Sequence, residues 1–233
     1  MKPVFRPLIL FLLHVLASGC RREPVVPALS GLPVILCAGD SITASSYPKH
    51  LKKLLVRDGL AVQVINAGVK GDSTAEYIRF LEKSRIIERC DPSWVLLQLG
   101  TNDLRIDSHA TTTAQFRANL EAILDRIARH RNKDGSTPRI ILATIPPIPV
   151  EVRWHFDAGS RARVEAEINP AIRAIASQRG LILADHHALF AARPDLLPDV
   201  HPSEDGYLAL AASWHRILAP LVSTAAANKT EVR

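Results

Sequence analysis

Aromatic and sulfur-containing residues are scarce in this sequence. Aromatic residues make up 5% of the 233 residues, and there are only three cysteines and one methionine. The formal net charge of +6 is spread along the chain, without a run of lysine and arginine interleaved with aromatics. Nucleic-acid binding is therefore not predicted. The composition, 47% hydrophobic and 22% charged, is that of a globular chain long enough for one sizeable core.

The sequence also lacks, at its N-terminus, an apolar run long enough to span a bilayer as a helix. Two positive charges in residues 1–7 precede the apolar run Leu8–Ala17, a pattern typical of a signal peptide. Small residues then lead directly to Cys20, which resembles a bacterial lipoprotein signal. We therefore expect residues 1–19 to be a signal peptide and Cys20 to be lipidated. The protein would then be exported to the periplasm or cell envelope and would contact the membrane through this anchor. An ordinary secretory signal is the alternative.

Of the other two cysteines, Cys37 lies inside a predicted strand and Cys90 precedes another parallel strand. Their Cα atoms are then expected to lie farther apart than the roughly 7 Å that a disulfide can bridge. We expect two buried free thiols. Neither lies in a polar setting that would stabilise a thiolate, so a catalytic cysteine is not predicted.

Strands and helices alternate along residues 34–222, after a proline-containing linker at 20–33. Each predicted strand is a short, continuous apolar run, as expected for a parallel sheet covered on both faces. The five runs are Pro33–Ala38, Ala61–Ile65, Trp94–Leu99, Arg139–Ala143 and Leu181–Ala184. This alternation predicts one domain with an α/β fold, a three-layer α/β/α sandwich with right-handed crossovers. In such sheets, sites lie at the carboxyl ends of the strands.

Helical signals fill the segments between these runs. Ser73 and Thr112 are each followed three residues later by Glu or Gln, which fits a capping box. Pro170 is expected to kink or split one of the helices. We expect the polar residues 223–233 to be a disordered tail. The predicted helices include Tyr77–Ile87, Thr112–Arg131, Arg161–Gln178 and Ser203–Val222.

Four short stretches occupy the predicted carboxyl-end loops, and each supplies a group that acyl transfer requires. The tripeptide Gly39-Asp40-Ser41 follows the first strand and offers a nucleophile at the start of a helix. The glycine-bearing loop at 66–72 can turn a backbone N–H toward an oxyanion, and Asn102 offers an amide donor. Asp199 and His201 offer a carboxylate and a general base.

Each stretch alone has a plain structural explanation, because glycines after strands are often turns and Asn102-Asp103 can cap a helix. Their joint occurrence in this order is far more specific. Together they resemble the SGNH hydrolase superfamily, the GDSL-type esterases and lipases, over Val34 to Val222. The resemblance implies a flavodoxin-like five-stranded parallel sheet of strand order 2-1-3-4-5. It also implies catalysis without a metal or cofactor.

The resemblance implies a catalytic role for individual residues of this chain. In "AGDSIT", Ser41 takes the nucleophile's place and its backbone N–H that of one oxyanion donor. In "NAGVKGDS" the second oxyanion donor falls on Gly71 and not on Gly68. "LGTND" assigns the third donor to Asn102, and "VHPSEDGY" assigns the catalytic base to His201.

One position departs from the pattern of the superfamily. The triad aspartate usually stands three residues before the histidine, where this chain has Pro198. Asp199 is two residues before His201 and would have to reach its Nδ1 atom through an altered loop. The alternative is a Ser-His dyad, in which a backbone carbonyl or another carboxylate orients the imidazole.

Other candidate sites carry less weight. Asp185-His186-His187 follows the fifth strand, but no companion ligands with metal-binding spacing are evident, so no metal site is predicted. The proline-containing segment Ile145–Gly159, which includes His155, is expected to line the substrate cleft.

The leading hypothesis is a serine esterase that hydrolyses carboxylic acyl esters through an acyl-enzyme. The superfamily includes lysophospholipases, thioesterases, arylesterases and carbohydrate acetylesterases, so the substrate is a small acyl ester, a lipid or an acylated sugar. A carbohydrate O-acetylesterase is the alternative within this class. From another class, a non-catalytic binding protein on the same fold is the alternative, and only the displaced aspartate supports it.

Overall fold

The computed structural model describes residues 31–107, 111–152 and 155–231, with side chains as far as Ala225 in the last helix. The predicted signal peptide, Cys20 and most of the predicted linker lie outside the described residues. Within the described residues, no helix is long and apolar enough to cross a membrane.

Five parallel strands form one sheet in the order β2-β1-β3-β4-β5, which confirms the predicted fold. Four strands lie within one or two residues of their predicted bounds. The edge strand β2 begins two residues later than predicted and ends at Gly68; its burial alternates, so it does not form a continuous apolar run and includes a half-buried Asn66. The strands are β1 (Val34–Gly39), β2 (Gln63–Gly68), β3 (Trp94–Gln98), β4 (Arg139–Ala143) and β5 (Ile182–Ala184).

Helices cover both faces of this sheet. The α-helices are α1 (Tyr47–Arg57), α2 (Thr74–Ser84), α3 (Ile86–Cys90), α4 (Thr113–Ala128), α5 (Ala158–Arg163), α6 (Asn169–Gln178), α7 (His186–Ala192) and α8 (Glu204–Glu231). Capping boxes start α2 at Ser73 and α4 at Thr112, as predicted. Short 3₁₀ turns follow β3, at Asn102–Leu104, and α7, at Pro194–Leu196.

The hydrophobic core consists of two clusters, one on each face of the sheet. Along β1 the side chains alternate, so that Leu36 belongs to one cluster while Ile35 and Cys37 belong to the other. Helices α2, α3, α4 and α6 cover the first face, and α1, α7 and α8 cover the second. This arrangement is the predicted three-layer sandwich.

Two helix predictions differ from the structure in detail, and one is confirmed. The predicted helix Tyr77–Ile87 is two helices, α2 and α3, because Arg85 between them adopts a left-handed conformation with φ 50°. The predicted helix around Pro170 is split, as expected: a π-helical turn at Val164–Ile168 joins α5 to α6, and Pro170 lies in the first turn of α6. The remaining difference concerns the C-terminus.

The prediction of a disordered tail at residues 223–233 is wrong for its described part. Helix α8 continues through this segment to Glu231. The segment includes three consecutive alanines, and alanine has the highest intrinsic helix propensity. A polar sequence therefore extends the helix that the buried part of α8 has already nucleated.

Cys37 and Cys90 are both free and buried, as predicted. Burial raises the pKa of each thiol to about 12. Both therefore remain protonated at neutral pH and have no thiolate character.

Candidate functional site

The turn that carries Ser41 packs directly on the ends of two neighbouring strands. A Cβ atom on Gly39 would lie 2.2 Å from the carbonyl oxygen of Gln98, at the end of β3. A Cβ atom on Gly68 would lie 2.2 Å from the backbone nitrogen of Ala44. Only glycine fits at these two positions, so the glycines of the motifs bring backbone into contact with backbone.

Ser41 does not lie at the start of a helix, contrary to expectation. A hydrogen bond of 2.9 Å from the Ala44 nitrogen to the Asp40 carbonyl closes a single turn, and α1 begins only at Tyr47. Pro48 in the first turn of α1 accounts for the later start, because proline favours that position. Within the turn, Asp40 Oδ1 accepts from the Ile42 nitrogen at 3.0 Å. Ser41 therefore lies in this turn and not at the N-terminus of α1.

His201 contacts Ser41 across a sequence separation of 160 residues. The distance from Ser41 Oγ to His201 Nε2 is 2.8 Å, which is a hydrogen bond. His201 lies between the 3₁₀ turn at Pro194–Leu196 and helix α8. The structure therefore brings together the candidate nucleophile and the candidate base, which are distant in the sequence.

Asp199 reaches His201 although it stands one residue closer than the superfamily pattern requires. Its Oδ1 atom lies 3.2 Å from His201 Nδ1 and accepts from the His201 backbone nitrogen at 2.5 Å. One carboxylate oxygen thus binds both the backbone and the ring of the same residue. The side chains are 60% and 45% exposed, so solvent screens this contact.

Asn102 and Gly71 lie beside the serine-histidine pair. Asn102 Nδ2 donates to the Asp72 carbonyl at 3.0 Å, which fixes the amide plane and leaves its second hydrogen available to a ligand. Gly71 has φ +80°, and a Cβ there would meet nothing within 4 Å. The two glycines of this loop therefore differ: Gly68 is required for packing, and Gly71 for a left-handed turn at the cleft.

Asp103 is a structural residue of the site that the sequence analysis treated only as a possible helix cap. Its buried carboxylate accepts from the Thr74 nitrogen at 2.9 Å and from Thr74 Oγ1 at 2.5 Å. Thr111 Oγ1 donates to it at 3.3 Å. These bonds tie the turn that carries Asn102 to the start of α2 and to the loop before α4. No local pattern in the sequence indicates these partners.

Two of the carboxyl groups near the site are held in a buried environment. Burial raises the pKa of Asp40 to about 7, against the opposing effect of the Ile42 N–H, and the nearby Asp103 and Asp72 raise it further. Burial also raises the pKa of Asp103, although the bonds from Thr74 oppose the shift. Asp40 Oδ2 is buried and bonds to none of the described residues. Asp40 is therefore largely protonated below neutral pH.

These groups surround a cleft of about 600 Å³ at the carboxyl edge of the sheet. Ser41, Gly71, Asn102 and His201 all line it. His155 and Phe156 line it as well, so the segment Ile145–Gly159 contributes to the cleft as expected. The other lining residues are Ile42, Ser45, Lys70, Thr101, Arg105, Val200, Pro202 and Tyr207.

A polar network links two of the loops at the cleft. Arg105 donates through Nε and Nη2 to the carboxylate of Asp107, at 3.0 and 2.7 Å. The same carboxylate lies 2.5 Å from His155 Nδ1, and the Ile106 nitrogen donates to the His155 carbonyl at 3.0 Å. His155 adopts φ 64°, which is uncommon for a residue with a side chain. The sequence analysis missed Arg105 and Lys70, whose placement depends on these loops.

The Asp185-His186-His187 stretch has a structural role. Asp185 caps α7 by accepting from the Ala188 nitrogen at 3.1 Å. His186 is fully buried with Nδ1 2.5 Å from Gln98 Oε1, and burial lowers its pKa to about 3. Across the described ranges, no group of three or more His, Cys, Asp or Glu side chains is arranged to hold a metal ion.

Comparison with known proteins is consistent with this fold and cleft. The profile of the GDSL-like lipase/acylhydrolase family matches residues 37–209. Esterase TesA of Pseudomonas aeruginosa is 26% identical over 204 residues, covering 81% of this chain and 96% of TesA. A crystal structure of the lipase/acylhydrolase from Enterococcus faecalis is 27% identical, with a TM-score of 0.68, and covers 81% of this chain and 96% of that one.

Other similar structures share the fold at lower identity. A carbohydrate acetylesterase family member from Sinorhizobium meliloti has a TM-score of 0.68 and 18% identity, covering 82% of this chain and all of that one. The matched fold and the matched esterase define the class of protein as a hydrolase that acts on ester bonds. More specifically, the chain belongs to the GDSL-like lipase/acylhydrolase family, within the SGNH hydrolase superfamily.

The buried Asp40 predicts a pH-dependent loss of stability. The carboxyl group loses its proton near pH 4 in the unfolded chain but only near pH 7 in the folded one. Between these values the unfolded state binds fewer protons, so the free energy of unfolding falls as pH rises, by at most about 1.4 kcal/mol per pH unit. Asp40→Asn removes this decline. Relative to wild type, its free energy of unfolding should therefore rise from pH 4 to pH 7.

Urea unfolding at a series of pH values between 4 and 8 measures the difference. Asp205→Asn, at an exposed aspartate in the first turn of α8, serves as the control for the change in net charge. Parallel pH profiles for wild type and Asp40→Asn would show that the buried carboxyl group is not protonated.

Proposed function

We propose that the protein is a serine esterase that hydrolyses small carboxylic acyl esters, with Ser41 as nucleophile and His201 as general base. The single observation that carries the proposal is the 2.8 Å hydrogen bond between Ser41 Oγ and His201 Nε2, at a cleft also lined by Gly71 and Asn102. A cleft of about 600 Å³ has the size of small-molecule sites in general.

In the proposed reaction, His201 Nε2 accepts the hydroxyl proton as Ser41 Oγ bonds to the ester carbonyl carbon. The tetrahedral adduct collapses, the bond to the alcohol oxygen breaks, and the imidazolium returns its proton to the leaving alcohol. A water then attacks the acyl-serine, again giving a proton to His201. This adduct collapses as its bond to Ser41 Oγ breaks; the carboxylic acid leaves, and the imidazolium returns its proton to Ser41 Oγ.

Three N–H donors are proposed to stabilise the oxyanion of both tetrahedral adducts: the backbone nitrogens of Ser41 and Gly71 and the side-chain amide of Asn102. The Asn102 amide is already oriented by its bond to the Asp72 carbonyl, so it need not reorganise during the reaction. A donor of this kind typically contributes roughly 3 to 4 kcal/mol to catalysis.

Asp199 is proposed to hold His201 in the tautomer with hydrogen on Nδ1, so that Nε2 faces the serine as acceptor. Support comes from the 3.2 Å contact between Asp199 Oδ1 and His201 Nδ1. Because both side chains are partly exposed, water can replace part of this contact, and the contribution should be smaller than that of a buried carboxylate.

Replacing the nucleophile tests the proposal directly. We expect Ser41→Ala to lower kcat/KM for p-nitrophenyl esters by several orders of magnitude, because the acyl-enzyme cannot form. Ser223→Ala, the same change on an exposed part of α8, is the matched control. A panel of acyl groups from acetyl to palmitoyl defines the chain length that the cleft accepts.

Equal rates for wild type and Ser41→Ala would reject the serine mechanism. Labelling of wild type by a fluorophosphonate probe, and loss of labelling in Ser41→Ala, should accompany the kinetic result. The absence of both labelling and hydrolysis would favour a non-catalytic binding protein on the same fold.

A comparison of Asp199→Ala with His201→Ala distinguishes a triad from a dyad. We expect His201→Ala to lose several orders of magnitude in kcat, and Asp199→Ala to lose about one to two, because the base and the oxyanion donors remain. Asp205→Ala is the control for removing a nearby exposed carboxylate. An unchanged kcat in Asp199→Ala would support the Ser-His dyad.

Export and lipid anchoring are proposed from residues 1–20 alone. Expressed from its full sequence in a bacterial host, the protein should be found in the membrane fraction with a lipidated N-terminal Cys20. Mass spectrometry of the mature N-terminus measures this, and Cys20→Ser should release the protein from the membrane. A mature chain that begins at another residue without a lipid would reject the anchor.

A further inference from the structure

The walls of the cleft are basic. Four of its lining side chains, Lys70, Arg105, His155 and His201, belong to basic residue types, and among the described residues that line it there is no aspartate or glutamate. Two carboxylates contact these side chains: Asp199 contacts Nδ1 of His201, and Asp107 contacts Arg105 and His155. The side chains that a substrate contacts in the cleft therefore include basic groups and, among the described lining residues, no acidic ones.

Lys70 supplies the uncompensated charge of the cleft. It directly precedes Gly71, is exposed, and makes no hydrogen bond or ion pair with any residue that the structure describes. A lysine without a carboxylate partner keeps its ammonium group available to a ligand anion.

Arg105 supplies oriented donors. Asp107 holds the guanidinium through Nε and Nη2 and raises its pKa, and Glu76 acts on the pKa in the same direction at longer range. Nη1 bonds to no described residue. The pairing offsets part of the charge of Arg105, but it fixes the planar group, so little side-chain entropy is lost when a ligand anion binds.

We propose that the ester hydrolysed at this site carries an anionic group, a carboxylate or a phosphate, and that Lys70 and Arg105 bind it. Each of the two residues is close in sequence to a proposed oxyanion donor. Lys70 directly precedes Gly71, and Arg105 stands three residues after Asn102. Three N–H donors already serve the oxyanion of a neutral ester. Additional cations beside them match a substrate that brings a negative charge of its own. The inference rests on the proposed esterase function and narrows its substrate class.

Pairs of similar esters, one anionic and one neutral, test the inference. On the acyl side, p-nitrophenyl hemiglutarate is compared with p-nitrophenyl valerate, which releases the same chromophore. On the alcohol side, 4-acetoxyphenyl phosphate and 4-acetoxybenzoate are compared with 4-methylphenyl acetate, which separates phosphate from carboxylate. Rates with Ser41→Ala are subtracted, because glutarate half-esters also hydrolyse without enzyme.

Wild type should prefer the anionic ester in at least one pair, and Lys70→Gln should reduce that preference about fivefold while leaving kcat/KM for the neutral ester nearly unchanged. Arg105→Gln should reduce it in the same pair. The preference should weaken as NaCl rises from about 0.05 M to about 0.5 M, since salt screens exposed charges. Lys53→Gln, the same change on an exposed part of α1 outside the cleft, should have no effect.

Two results would overturn the inference. One is equal kcat/KM for anionic and neutral esters in every pair, and the other is a Lys70→Gln variant that loses both activities equally. If hydrolysis of neutral esters still depends on Ser41 in these experiments, the esterase function stands and only the substrate class is rejected. If no ester is hydrolysed in a Ser41-dependent way, the proposed function itself fails.

Discussion

The contact between the nucleophile turn and the strand ends is the constraint on which the site depends. Gly39 lets the start of this turn approach the Gln98 carbonyl at the end of β3, and Gly68 at the end of β2 lets the Ala44 nitrogen of the turn approach that strand, both to distances that a side chain would block. The turn is thereby held against the ends of β2 and β3. Ser41 therefore has a defined position at the carboxyl edge of the sheet, and the other groups of the cleft are arranged around it.

Polar side chains then connect the loops to one another. Asn102 bonds to the carbonyl of Asp72, and Asp103 bonds to Thr74 and Thr111, so the loops after β2 and β3 and the segment before α4 form one unit. These hydrogen bonds offset part of the free-energy cost of burying the Asp103 carboxylate. The same residues that resemble a family motif in the sequence thus serve as cross-links between loops in the fold.

Patterns of hydrophobicity predicted most of the fold, and their failures have physical causes. Buried strands are continuous apolar runs, which located β1, β3 and β4 within a residue, whereas the alternating edge strand β2 was displaced. The start of α1 was misplaced because the turn after Asp40 closes by its own hydrogen bond before Pro48 allows a helix to begin. Helix α8 ends later than the polarity of its last residues predicts, because the three consecutive alanines there favour helix.

By itself the sequence determined the layered architecture, which follows from local hydrophobic patterns. Its motifs implied the strand order and identified Ser41, Asn102 and His201 as candidate site residues. Only the tertiary structure decided which carboxylate contacts His201 and which basic side chains line the cleft. The displaced Asp199 contacts the ring because a short turn folds its side chain back onto its own chain. Lys70 and Arg105 follow β2 and β3, whose loops lie at the same edge of the sheet, but the placement of their side chains in one cleft depends on the conformations of these loops, which no local pattern encodes.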